Sequence, residues 1–168
     1  MSMRSGVRVG VDVGRARIGV ARTDLHGMLA TPVETVPRTA PGEVPETGPS
    51  ADVVRILDIA DELEALEFVV GLPLSMSGAE TASTQDARDF AARLGAASGR
   101  PVRMIDERLS TVSAQAALHR NGRNTKSSRP VIDQVAAVIL LQHALDSELA
   151  TDRPPGILLD PSQGKGSD

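Results

Sequence analysis

Apolar and polar positions alternate most plainly near the start of the chain. Val7, Val9, Val11 and Val13 are separated by Arg8, Gly10 and Asp12, the two-residue period of a strand with one apolar face. Residues 14–17 read as a tight turn, and 18–23 resume a β-prone pattern. The stretch 7–24 is therefore expected to form a hairpin, its glycines letting the backbone bend or approach a neighbour closely. A second turn at Leu25-His26-Gly27 leads to a third strand over 28–36, where Pro32 suits an edge position.

The period then changes. Residues 38–52 are rich in Pro and Gly and are expected to be a mobile loop. Val53, Ile56, Leu57, Ala60 and Leu63 recur at helical spacing, and 68–72 is a short apolar run of the buried-strand kind. Ser77 and Glu80 have the spacing of a capping box, predicting a helix that runs to about residue 97 with Ala87, Phe90, Ala91 and Leu94 inward. A strand over 101–105 ends in Asp106-Glu107-Arg108. Ser110 can cap a helix through about His119, and a polar loop over 121–129 leads to Pro130, which fits the first turn of a last helix reaching about residue 149. In that helix Val135, Ile139 and Gln142 fall on one side, with Ala136, Leu140 and His143 close by. Residues 151–168 read as a tail with at most a short ordered piece at 157–159.

A meander followed by β-α-β-α-β predicts an α/β fold over residues 1–150: a mixed five-stranded sheet with antiparallel and parallel parts and helices on both faces. Sites in such sheets form beyond the carboxyl ends of the strands. Asp12 lies at one such end, Asp106 and Glu107 at another, and Asp133 starts a helix that can pack nearby. Taken singly, each has an ordinary explanation: a solvated strand residue, a strand end partnered by Arg108, a carboxylate meeting a helix dipole. Taken together, acids gathered beyond strand ends repel one another and are most easily retained around a divalent ion. Oxygen ligands of this kind suit Mg²⁺ or Mn²⁺.

At 168 residues the chain is long enough for one core of this size. It has no cysteine, which excludes disulfides and thiolate metal sites. The absence of a signal-like or membrane-length apolar run leads to the expectation of a cytoplasmic protein with no membrane partner. A net charge of −4 argues against a general polyanion coat, so nucleic-acid contact must rest on local basic groups. Two clusters qualify. Arg4, Arg8, Arg15, Arg17 and Arg22 surround Asp12 in sequence, and Arg120, Arg123, Lys126 and Arg129 follow one another without an acid. With no Trp or Tyr and only two Phe, stacking on aromatic platforms is nearly excluded, leaving recognition by phosphate backbone and shape.

Four stretches in order, VGVDVGRARIGVA, VVGLPLSMSG, IDERLST and DQVAAVILLQHAL, resemble the YqgF family of pre-16S rRNA nucleases and RuvX-type Holliday junction resolvases. The resemblance spans about residues 7–145; the insert at 38–52 and the tail after 150 depart from the family pattern. It implies a ribonuclease H-like fold and metal-dependent phosphodiester hydrolysis. The acidic site would be carried by Asp12, Glu107 and Asp133, with Asp106 orienting or replacing Glu107. It further implies Mg²⁺ or Mn²⁺, in one- or two-ion form, as cofactor, and structured RNA or branched DNA as partner of a monomer or homodimer. Arg15, Arg17, Lys126 and Arg129 would meet phosphates. Two other classes stay open: a module of the same fold that binds nucleic acid without cutting it, and an actin-like ATP-binding domain. The second is disfavoured because such enzymes pair two domains and this chain shows no internal repeat.

Overall fold

The computed structural model describes residues 4–108 and 129–159, with the side chains of 129–131 excepted. Among the described residues the chain forms β1 (Arg8–Val13), β2 (Arg17–Thr23), β3 (Ala30–Pro37), a 3-10 turn (Pro41–Glu43), α1 (Ala51–Leu63), β4 (Glu67–Leu72), α2 (Ala82–Ser98), β5 (Val102–Asp106), α3 (Arg129–Thr151) and β6 (Ile157–Leu158). The strands make one sheet in the order β3-β2-β1-β4-β5-β6. β1, β2 and β3 are an antiparallel meander, β1, β4 and β5 run parallel, and β6 pairs antiparallel with β5. The sheet is thus six-stranded rather than five. The extra strand is the short apolar piece of the tail, placed by pairing Leu158 with Arg103 and Ile157 with Met104. Pro32 lies in β3 at the sheet edge, where a missing N–H costs no ladder bond.

Strand alternation divides the core in two. Val9, Val11, Ile18, Val20, Phe68, Val70, Val102 and Met104 face α1 and α2, where Ile56, Phe90 and Leu94 meet them fully buried. Ala21, Val69 and Ile105 belong to the second core, with Ala137, Leu140, Leu141 and Ala144 of α3. Each large side chain removed from water in this way contributes about 1.5–3 kcal/mol before entropy is charged. The stripe that α3 buries is Ala137, Leu140, Leu141 and Ala144, while Val135, Ile139 and Gln142 are only half-buried. The reason lies in the sheet. A Cβ on Gly19 would stand 1.9 Å from the Asp133 carbonyl oxygen, and one on Gly10 would stand 2.9 Å from Leu141 Cβ. α3 therefore settles with its backbone against two glycines, which turns the Ala137–Leu141 side inward.

One further expectation, the helix start at Ser77, is corrected. Residues 75–80 close a tight turn, with Ser75 N donating to the Ala79 carbonyl and Leu74 bridging Glu80. α2 is capped instead by Thr81, in a reciprocal box with Thr84, so Ser77 and Glu80 start no helix. The Pro/Gly-rich insert is tied at both ends: Thr39 N donates to Asp52 Oδ2 at 3.0 Å, and Asp52 N donates to Thr39 Oγ1 at 3.0 Å. Arg38 fastens it further, donating to the Gly14 carbonyl at 2.9 Å and to both oxygens of Asp86 at 2.8 and 3.0 Å. The helix expected over 110–119 and the polar loop with Lys126 lie outside the described residues.

Candidate active site

Asp12 enters the site through strand parity. Gly10 and Asp12 share the α3 face of β1, and Asp12 is paired with Gly19 of β2. Register carries the same face across to Val69 and Gly71 of β4 and to Arg103 and Ile105 of β5. The next residue on that side is Glu107, just past the strand end, where its N–H still donates to the Leu72 carbonyl at 3.1 Å. Its side chain lies across β4: a Cβ on Gly71 would be 2.2 Å from Glu107 Oε1 and 2.7 Å from its Cγ. Gly71 is thus the seat of the Glu107 carboxyl. It belongs to the stretch VVGLPLSMSG but carried no expected role, although a glycine inside an apolar strand is itself a sign of close approach.

Asp12 and Glu107 are brought together. Burial, then a hydrogen bond to the Asp12 carboxylate and its charge, push the Glu107 carboxyl up to about 9. Two acids in contact in a half-buried place must share a proton or a cation. Asp106 follows the opposite parity and looks toward the other side of the sheet, where it takes three hydrogen bonds from the Arg108 side chain, the shortest 2.6 Å. That arginine, followed by its backbone N–H, holds the Asp106 carboxyl below its ordinary range.

Asp133 stands on the same face as Asp12, its carbonyl pressed to Gly19. Its carboxylate is taken by Arg17, whose Nε donates to Oδ2 at 2.7 Å. Asp12, Glu107 and Asp133 therefore occupy one side of the sheet, yet among the described residues no three potential ligands are gathered closely enough to hold an ion. Arg15 is exposed on the β1–β2 turn, within electrostatic reach of Asp86. Arg129 opens α3 and its side chain, like all of Lys126, lies outside the described atoms.

The basic cluster expected around Asp12 divides in the fold. Arg4 and Arg8 lie at the far end of the same sheet face, where Arg8 is 1 % exposed and bonds Glu148 at 3.1 Å. Arg4 bridges Glu67 at 2.6 Å and Glu148 at 2.7 Å, and Arg103 adds a 3.0 Å ion pair to Glu67. These arginines join β1, β4, β5 and α3, and are spent on the fold.

A family model described as "RuvX: Holliday junction resolvase" matches residues 6–147, which includes Asp12, Asp106, Glu107 and Asp133. The chain belongs to the RuvX family. RuvX relatives named "Putative pre-16S rRNA nuclease" include one from Clavibacter michiganensis subsp. michiganensis, 60% identical over 157 residues, covering 94% of this chain and 93% of the relative. Another, from Leifsonia xyli subsp. xyli, is 57% identical over 162 residues, covering 96% and 99%. Among solved structures, Thermus thermophilus RuvC in complex with a Holliday junction substrate superposes with a TM-score of 0.54 at 17% identity, over 92% of this chain and 99% of that one. At that identity the likeness speaks for the fold alone, and it agrees with the ribonuclease H-like sheet expected from the sequence. No helix among the described residues of this RuvX chain is long and apolar enough to cross a membrane.

The donor set of the RuvX site fits a hard divalent cation. It consists of carboxylates, and the two in contact share a place where Glu107 keeps its proton to about pH 9, a charge conflict of the kind a hard cation relieves. His26 lies on the β2–β3 turn and His143 on α3, the helix that carries Asp133.

Proposed function

We propose that this chain is a divalent-metal-dependent nuclease that hydrolyses phosphodiester bonds, acting on the 5′ end of precursor 16S rRNA. The observation that carries the reading is the contact between Asp12 and Glu107 at the carboxyl edge of the parallel strands, with Glu107 seated on Gly71. Asp12, Glu107 and Asp133 would hold Mg²⁺ or Mn²⁺, which when bound activates water for attack on phosphorus and stabilises the departing oxygen. Glu107 has to surrender its proton first, so its readiness for catalysis increases toward alkaline pH. Gly71 and the Leu72 carbonyl fix where Glu107 stands; Gly19 fixes the approach of α3 and hence of Asp133. Asp106 adds its charge to the rise at Glu107 and binds Arg108, which lies against Gly78 of the neighbouring turn. Arg15, with Lys126 and Arg129, supplies positive charge for substrate phosphates.

The relatives' name favours RNA as substrate. A second reading, resolution of four-way DNA junctions, is favoured by the family description and needs two cooperating copies of the site. The test is to incubate the purified chain with end-labelled precursor 16S RNA and, in parallel, with a four-way DNA junction, in Mn²⁺, Mg²⁺ or EDTA. Cleavage of the RNA only in the presence of metal, lost by 10²-fold or more in Asp12→Asn with unchanged circular dichroism, is expected. Cleavage of the junction alone selects the second reading, and binding without cleavage of either refutes both.

A further inference from the structure

Arg17 and Asp133 share the sheet face of Asp12 and Glu107, and their 2.7 Å bond occupies the one site carboxylate that is not in the Asp12–Glu107 contact. The helix bearing Asp133 is fixed by its carbonyl against Gly19, opposite Asp12, so the backbone is already at the site while the carboxylate points to an arginine. The pair is accessible: the Arg17 side chain is 41% exposed and that of Asp133 23%. Ion pairs of this exposure add little stability and exchange readily with other charges.

We propose that Arg17 is a positioning residue that changes partner during the working cycle. It holds Asp133 in the resting site, yields it when a divalent cation binds, and then turns its guanidinium to a phosphate of the nucleic acid. This rests on the nuclease reading above and specifies how the site completes itself. The exchange is a competition between the cation and Arg17 for the Asp133 carboxylate, and between Asp133 and a phosphate for Arg17. Its planar fork suits a phosphate as well as a carboxylate. A phosphate that takes Arg17 removes the competitor of the metal at Asp133, and by linkage a metal on Asp133 frees Arg17 for the phosphate. Cation and substrate therefore bind cooperatively.

The experiment measures Mn²⁺ binding by calorimetry on the full chain, alone and with saturating non-cleavable phosphorothioate RNA, for the wild type, Arg17→Gln and Arg17→Lys. Nucleic-acid affinity is measured beside it against salt concentration in Ca²⁺. In the wild type, RNA is expected to tighten Mn²⁺ severalfold. Arg17→Gln should bind Mn²⁺ alone about 3–10-fold more tightly, lose the coupling, bind RNA more weakly and reduce the salt slope by about one. Arg17→Lys should keep part of the coupling, because it retains the charge without the fork. Unchanged or weaker Mn²⁺ binding in a folded Arg17→Gln protein would overturn the proposal, as would a wild-type affinity for Mn²⁺ that ignores RNA, a measurement that needs no variant. A wild type that binds no Mn²⁺ at all would remove the nuclease reading itself, which separates the two failures.

Discussion

Replacing Glu107 by glutamine is expected to stabilise the metal-free protein, and by more as pH rises. In the unfolded chain the carboxyl ionises near its ordinary 4.5, whereas in the fold burial and the neighbouring Asp12 push it up to about 9. Below 4.5 both states keep the proton and nothing is lost. Above it the unfolded chain releases a proton that the folded protein retains, so stability falls by about 1.4 kcal/mol per pH unit until the folded group also ionises, near 9. Between 4.5 and 7 the loss accumulates to roughly 3 kcal/mol. Glutamine cannot ionise and still offers Asp12 a donor, so Glu107→Gln escapes the loss. For a domain of this size that corresponds to a Tm about 6–12 °C above wild type at pH 7. Calorimetric melts of both proteins in EDTA at pH 5, 7 and 8.5 test it. The gap should be small at pH 5 and widen at each step. A gap independent of pH, or a variant less stable than wild type at pH 8.5, would show that Asp12 and Glu107 do not share a proton.

Gly71→Ala places a methyl 2.2 Å from Glu107 Oε1, so the carboxyl must leave its seat while the strand keeps an ordinary backbone. Metal-dependent cleavage is expected to fall about 10²-fold, as for other misplacements near 1 Å, with unchanged far-ultraviolet circular dichroism. Glu148→Ala leaves Arg8 buried without its carboxylate and should cost about 3–5 kcal/mol in urea unfolding, while cleavage by the folded fraction at low temperature is retained.

The meander and the α/β crossovers are legible in the sequence because their signal is local: alternating valines, a helical apolar stripe, a glycine-flanked turn. What escapes is set by partners far along the chain. In α3 nearly every position from Val135 to Leu141 is apolar, so periodicity does not choose a face; Gly10 and Gly19, more than a hundred residues earlier, choose it. Arg8 reads as the polar position of a half-buried strand, and its burial is matched by Glu148, 140 residues away, together with the Gly6 carbonyl and the charge of Glu67. For the adjacent pair Asp106-Glu107 the decisive signal was at hand. Val102 and Met104 mark the face toward α1 and α2, so Asp106 continues their side while Glu107 follows Arg103 and Ile105 to the other.

The two ends of that second face explain why one of them is the candidate site. At the amino ends of the strands, acids meet bases: Glu67 is held by Arg4 and Arg103, Glu148 by Arg4 and Arg8. Bringing such charges out of water is tolerable because each carboxylate is matched within the fold. At the carboxyl ends, acid meets acid, and Glu107 is driven to carry a proton far above its ordinary range. An arrangement that only stabilised the fold would place an arginine or an apolar side chain beside Asp12. Instead the strand provides Gly71, a gap shaped to receive a second carboxyl, and the nearby Arg17 is directed to a third. Local instability of this kind is retained where an added cation is to relieve it, which is why the Asp12–Glu107 contact supports hydrolytic function and the Arg8–Glu148 contact does not.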